Sequence, residues 1–302
     1  MRVALIGAIG ALLTIAAAAQ APPALVIDAP AELAASRARL ESFDHVSLSG
    51  IVRMMGLDDP GPPIHVILAA ENTEAAASVS PSTAGYAISG QGLVVLFPAR
   101  SPVYPHDTLE DVLRHEVAHV LISRAAGGYP VPRWFHEGLA VAAERPWRLE
   151  DRSRLAWELA TGPQLTVSEI DRLFDIDEGR PRAYSLAAAI VREIISEHGA
   201  GAPARILKAL QTAAGFDIAV TQVLGYPMRE VERRFWERQR VWTVWVPLAT
   251  SGEILWLAMI ALAAIAVWRR RTKAAAIRRR WAEEEAAEAP VPERDNSERT
   301  DD

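Results

Sequence analysis

The chain contains no cysteine and no excess of positive charge. Without cysteine, disulfides, thiolate metal ligands and a cysteine nucleophile are all excluded. The 32 Lys and Arg residues are outnumbered by 38 Asp and Glu, for a formal net charge of −6. That balance excludes the basic footprint of a protein that binds nucleic acid. Half of the 302 residues are apolar, which is enough to bury the core of one domain without cross-links.

The most informative stretch is residues 107–127, with the sequence DTLEDVLRHEVAHVLISRAAG. Its apolar residues recur at helical spacing, which predicts an amphipathic helix. Asp107 and Glu110 fit a capping box at its start, and Gly127 or Gly128 can supply the left-handed residue that ends it.

This predicted helix contains the pattern HEVAH at residues 115–119. Residues four apart lie one turn above each other, so His115 and His119 point to the same side. Two imidazoles placed in this way can hold one zinc ion, and Glu116 then stands beside the metal, where it can take a proton from a bound water. The alternative is a solvent-exposed helix face that carries two unrelated histidines. Apolar residues flank both histidines, however, and favour a half-buried helix.

A second stretch, PVPRWFHEGLA at residues 130–140, follows a Gly-Gly-Tyr-Pro turn and predicts a helix that begins near Pro132. A catalytic zinc site has three protein ligands and one open position. Glu137 comes 18 residues after His119, which leaves room for a helix end, a turn and an antiparallel return. His136 is the alternative third ligand. If Glu137 faces the metal, its helical neighbour is turned about 100° away.

HEVAHVL followed by WFHEGLA resembles the gluzincin zinc metallopeptidases, the thermolysin-like group, and most closely their small peptidase-MA-like branch. The match is specific over about residues 107–145 and looser from there to about residue 240. The resemblance implies that His115, His119 and Glu137 are the zinc ligands and that Glu116 is the general base.

The chain departs from that family at one position. Thermolysin-type enzymes often carry an Asp four residues after the ligand Glu, where it supports a histidine, and this chain has Val141 there. Asp111 or Glu144 could take that role, because partners of this kind orient imidazoles bound to zinc. Members of the branch also tend to carry a Tyr at the start of the helix after the third ligand. Tyr184 stands there and is a candidate donor to the oxyanion, with a core tyrosine as the alternative.

The rest of the sequence predicts an α+β fold, with a small mixed or antiparallel sheet and a helical zincin-like domain. Residues 64–68 read as a strand, and residues 86–88 and 93–97 as a hairpin. Residues 30–56 and most of the chain after Glu137 read as helical. The resemblance further implies that residues 92–97 form an edge strand on which an extended peptide binds, and an ordinary interior strand is the alternative.

Both ends of the chain carry further patterns. Residues 1–21 read as a secretory signal peptide, so that residues 22–240 form an extracytoplasmic peptidase domain. Residues 246–268 read as a transmembrane helix, and the seven cations after it place that end in the cytoplasm. The rest of the tail, residues 269–302, is basic and then acidic, and we expect it to be disordered.

The sequence therefore predicts a zinc metallopeptidase anchored by one membrane pass, with its catalytic domain outside the cytoplasm. Its expected cofactor is Zn²⁺ and its expected partners are a peptide or protein substrate and the membrane, with no nucleic acid. One alternative is an inert gluzincin-like module that binds a peptide or an envelope component. Another is an enzyme with the same metal chemistry that acts on a non-peptide amide.

Overall fold

The computed structural model describes residues 20–239 and 252–288. Within these ranges, one four-stranded sheet has the order β1-β2-β4-β3. β1, β2 and β4 are parallel to one another, and β3 is antiparallel to β4. The strands are β1 (Leu25–Asp28), β2 (Ile64–Leu68), β3 (Gly85–Ile88) and β4 (Leu93–Leu96).

Helices make up most of the described chain, and short 3-10 turns join several of them. The α-helices are α1 (Ala34–Glu41), α2 (Ser49–Met54), α3 (Glu74–Ala77), α4 (Leu109–Ala125), α5 (Arg133–Glu144), α6 (Leu149–Thr161), α7 (Val167–Leu173), α8 (Arg180–His198), α9 (Ala202–Leu210), α10 (Phe216–Leu224), α11 (Met228–Arg238) and α12 (Gly252–Glu288).

The structure corrects the predicted fold class. The chain is mostly helical with a small mixed sheet, and none of its described helices is long and apolar enough to cross a membrane. The predicted C-terminal transmembrane helix is therefore wrong. Within α12 the uninterrupted apolar run covers only residues 254–268, between Glu253 and three arginines. That run is shorter than the roughly 20 residues that a span requires.

Two other predictions about the ends of the chain have different outcomes. The predicted signal peptide lies outside the described residues, apart from Gln20 and Ala21. Residues 269–288, which we expected to be disordered, continue α12 as regular helix. Residues 246–251 and 289–302 also lie outside the described residues.

The predicted strand at residues 64–68 and the predicted hairpin are confirmed. In β2, Ile64, Val66 and Leu68 are buried and alternate with more exposed neighbours, as expected of a sheet with one face on the core. β3 and β4 pair from Gly85 with Leu96 to Ile88 with Leu93. The sequence did not predict β1, and the helix predicted over residues 30–56 is divided into α1, α2 and 3-10 turns.

The position of β4 contradicts the predicted substrate-binding edge. β4 is hydrogen-bonded to β2 on one side and to β3 on the other, so its backbone groups are already used. The interior alternative is correct. β3 is instead the strand at this end of the sheet.

α4 runs through the centre of residues 20–239. Its N-cap is Thr108, whose side chain accepts a hydrogen bond from the Asp111 amide, one residue later than the cap predicted at Asp107. Gly127 follows its end with φ +64°, the left-handed conformation expected of a helix stop. α4 is buried on nearly all sides instead of on one face, because the sheet packs on one side of it and α5 on the other.

α5 and α8 approach each other closely at Gly138. A Cβ atom at this position would lie 2.5 Å from the Ala187 carbonyl oxygen, so only glycine fits without a shift of the helices. Ala187 belongs to a run of buried small residues in α8. This contact fixes the position of α5 along its axis beside α4. It therefore also fixes the position of Glu137, which α5 carries.

Candidate metal centre

Three side chains from α4 and α5 bring one ligand atom each to a common point. His115 Nε2 and His119 Nε2 are 3.1 Å apart. Glu137 Oε2 lies 3.3 Å from the first nitrogen and 3.4 Å from the second. The structure therefore brings together the three residues that the sequence nominated as metal ligands, and they form a group able to hold a metal ion.

The spacing of these atoms fits zinc. Zinc bonds to nitrogen and oxygen of about 2.0–2.2 Å, at tetrahedral angles, place two ligand atoms roughly 3.3 Å apart. The three observed separations differ from that value by 0.2 Å or less. Two nitrogens and one carboxylate oxygen are also a donor set that catalytic zinc sites use.

The hydrogen bonding of Glu137 gives independent support. Its Oε2 atom is buried and has no hydrogen-bond partner, although two imidazole nitrogens lie within 3.4 Å. The three atoms thus face a common centre without making hydrogen bonds to the carboxylate. A buried carboxylate oxygen without a partner is costly, and a metal cation at that centre would satisfy it.

Local structure places each ligand. Helical geometry puts His115 and His119 on one face of α4, as the spacing predicts. Ser89, in the turn between β3 and β4, donates a hydrogen bond of 3.2 Å to the His119 carbonyl and ties the hairpin to α4. α5 begins after Pro132, and Asp171 accepts a hydrogen bond from the Trp134 amide in its first turn.

Glu144, at the end of α5, lies behind the His115 ring. Its Oε2 atom lies 3.4 Å from His115 Nδ1 and 3.0 Å from His106 Nδ1. Of the two partners considered from the sequence, Glu144 is therefore the one beside the ligand, whereas Asp111 pairs with Arg114. A carboxylate behind a metal-binding imidazole fixes its ring and tautomer.

His106 is a site residue that the sequence reasoning missed. It is buried, its ring centroid lies 4.6 Å from that of His115, and it lines the same cleft. It stands in a loop without helical or strand periodicity, nine positions before His115. Its only signal was the presence of a histidine close to the motif in sequence.

An ion-pair network supports Glu144. The guanidinium of Arg145 lies 3.7 Å from the second oxygen of Glu144 and makes two hydrogen bonds, of 2.6 and 3.1 Å, to Asp151. It also pairs with Asp107 at 3.2 Å. The hydrogen bonds with Asp151 raise the pKa of Arg145 further above its usual value, against the effect of burial.

The surroundings of the ligands set their protonation. Burial alone would lower the pKa of His115, but Glu137 and Glu144 raise it to about 10, so metal binding at Nε2 must displace a proton from this ring. Burial would raise the pKa of Glu137, yet the charges of His119 and His115 hold it well below its usual range. Glu137 is therefore a carboxylate at neutral pH, as a metal ligand must be.

Glu116 lies beside the three ligands and lines the cleft. Burial raises its pKa, and the charges of His119 and His115 partly oppose that rise. A carboxylate whose pKa is shifted towards neutrality suits a general base. Gly85 of β3 passes so close that a Cβ there would lie 3.1 Å from Glu116 Cγ.

Tyr184 and His136 complete the wall around the ligands. The ring of Tyr184 lies 6.2 Å from that of His115, and burial raises its pKa well above 10. Its phenol is therefore protonated at neutral pH. His136 stacks on the ring of His119, with centroids 4.5 Å apart. Among the described residues, two groups could hold a metal ion, one of His115, His119 and Glu137 and one of His106, His115 and Glu144, and neither includes His136.

A cleft of about 460 Å³ opens over these residues. Its lining includes residues of β3 and of the segment before it, the loop at residues 103–106, and residues at the beginnings of α5 and α8. No protein-family model, no curated protein and no solved structure matches this chain.

Proposed function

We propose that the protein is a zinc-dependent metallopeptidase of the gluzincin type. The observation that carries the proposal is the group formed by His115, His119 and Glu137, in which a buried carboxylate oxygen without a hydrogen-bond partner lies 3.3 and 3.4 Å from two imidazole nitrogens. The position of Glu116 beside this group, in the wall of an open cleft, supports a hydrolytic role over a purely structural metal.

When bound by these three residues, zinc supplies Lewis-acid activation of a water and of the scissile carbonyl. The carboxylate of Glu116 accepts the proton of the attacking water and later passes it to the leaving amine. The protonated phenol of Tyr184 donates a hydrogen bond to the oxyanion of the tetrahedral intermediate. Glu144 keeps the His115 ring in place during both steps.

β3 supports a peptide as the substrate. Gly85, Tyr86 and Ala87 line the cleft, and within the described residues no further strand is paired beyond β3. An extended peptide can add to such an edge through backbone hydrogen bonds. This geometry favours a peptide over a small amide, which would use little of the cleft.

The test uses the purified full chain and two variants. We expect one zinc per chain in the wild type and in Glu116→Gln, and much less in His119→Ala, because only the last substitution removes a ligand. A peptide-library digest should show cleavage by the wild type alone. Mass spectrometry identifies the products, and metal analysis measures the zinc.

Three other results would decide against these roles. Zinc-free wild type would support an inert module that binds a peptide or an envelope component. Zinc-loaded protein that hydrolyses simple amides but no peptide would support the non-peptide enzyme. Cleavage that survives in Glu116→Gln would contradict the role of the general base.

A further inference from the structure

Two arginines stand at the end of the cleft where α5 and α8 begin. Arg133 is the first residue of α5 and Arg180 the first residue of α8, and both side chains line the cleft. A positive charge in the first turn opposes the helix dipole, so neither arginine stabilises its own helix through that interaction.

Helical spacing relates each arginine to a residue of the proposed reaction. Arg133 comes four positions before Glu137, and Arg180 four positions before Tyr184. Each pair lies on one helix face, separated by a single turn of about 5.4 Å. A peptide in extended form advances about 3.3 Å per residue. A group on the substrate within a few residues of the scissile bond therefore reaches the two guanidinium groups.

Phe174 holds both guanidinium groups in place. The guanidinium carbon of Arg133 lies 4.9 Å from the centre of its ring. Arg180 Nε donates a hydrogen bond of 3.0 Å to its carbonyl oxygen. Two guanidinium groups that are already held by the same residue lose less side-chain entropy on binding an anion than two mobile arginines would.

The present partners of the arginines are easily replaced. Arg133 pairs with Asp175 at 2.9 Å and Arg180 with Asp177 at 3.1 Å, and these two carboxylates are 74% and 65% exposed. Exposed pairs of this kind contribute only about 0–1 kcal/mol. A substrate carboxylate that reaches either guanidinium can therefore displace its present partner.

We propose that Arg133 and Arg180 form a subsite for a carboxylate of the peptide substrate, supplied by an acidic side chain or by the free C-terminus. The inference rests on the proposed peptidase function and adds a substrate class to it. It predicts a preference for acidic peptides by a protein whose own net charge is −6, because recognition depends on these two guanidinium groups and not on the net charge of the chain.

The test measures binding and cleavage separately. A labelled heptapeptide of neutral residues receives one Glu at each position in turn, with Gln in the matched control, and each peptide is made with a free and with an amidated C-terminus. Binding is measured with full-length Glu116→Gln loaded with zinc. Cleavage is measured with the wild type. The two series distinguish a side-chain carboxylate from a terminal one.

We expect at least one Glu position, or the free C-terminus, to bind roughly tenfold more tightly than its neutral control, as charged hydrogen bonds predict. Adding Arg133→Gln and Arg180→Gln to the Glu116→Gln background should remove that difference. Arg172→Gln is the matched control, because Arg172 is an exposed arginine of α7 outside the cleft lining.

Equal binding of acidic and neutral peptides at every position would overturn the subsite, and so would a preference that survives the double substitution. Absence of cleavage by the wild type would count against the peptidase alone, since the binding series on Glu116→Gln still decides whether the carboxylate is recognised.

Discussion

Replacing Gly138 by alanine tests whether the contact between α5 and α8 holds the metal ligand in position. The added Cβ would lie 2.5 Å from the Ala187 carbonyl oxygen and 2.6 Å from its carbon. A carbon normally comes no closer to such an oxygen than about 3.3 Å. The two helices must therefore separate by roughly 0.8 Å, and Glu137, the next residue along α5, must move with its helix.

Two opposing terms set the effect on stability. Alanine favours the helix over glycine by about 1 kcal/mol, whereas overpacking a core contact costs about 1–3 kcal/mol. Gly50 provides the matched control, because it is an exposed residue of α2 with nothing within 4 Å of the added Cβ. Gly50→Ala gains part of the stabilisation that alanine gives to a helix, and its Cβ does not overlap with another residue.

We expect Gly138→Ala to unfold at a lower temperature than Gly50→Ala, by roughly 2–12 °C for a domain of this size. Zinc affinity, measured by competition with a chromophoric chelator, should fall at least about tenfold in Gly138→Ala and stay unchanged in Gly50→Ala, because metal–ligand distances tolerate only about 0.2 Å. A Gly138→Ala variant with the stability and zinc affinity of the wild type would refute the reasoning.

Four further outcomes follow from the same site. Removal of zinc by a chelator should lower the free energy of unfolding by about 2.7 kcal/mol, as measured by denaturant titration. The reference sample is protein in a free zinc concentration of about 100 times the dissociation constant. Glu144→Gln should weaken zinc binding roughly 10–100-fold, because it removes the charge that orients His115. Tyr184→Phe should lower kcat and kcat/KM together by roughly 100-fold with zinc content unchanged. Gly85→Ala should reduce cleavage while zinc stays bound, because its Cβ would press on Leu96, Val112 and Glu116 and on none of the metal ligands.

Local rules account for the parts of the site that the sequence predicted. His115 and His119 are four residues apart, so any regular helix places them together. The capping box that Thr166 and Glu169 form at the start of α7 is equally local, since it depends on four consecutive residues. The hairpin of β3 and β4 likewise needs only a turn between two apolar runs.

Long-range packing explains what the sequence could not predict. The interior position of β4 depends on its parallel pairing with β2, a contact between separate segments of the chain that no local pattern in either strand predicts. His106 reaches the site from a loop through Glu144, 38 residues away along the chain. The error in the predicted membrane span has a different cause. The prediction added residues 246–251 to an apolar run that is too short by itself.

The helical geometry of α5 explains why Glu144 can take the role of an acidic residue at position 141. A residue four positions after Glu137 is turned about 40° from it, and a residue seven positions after it only about 20° in the other direction. Glu144 therefore lies on the same face as the ligand, about two turns further along. Its side chain is one methylene longer than that of Asp, and it comes to 3.4 Å from His115 Nδ1. A helix that supplies both the ligand and its supporting carboxylate must move as a unit, so a displacement of α5 should affect metal binding and the orientation of His115 together.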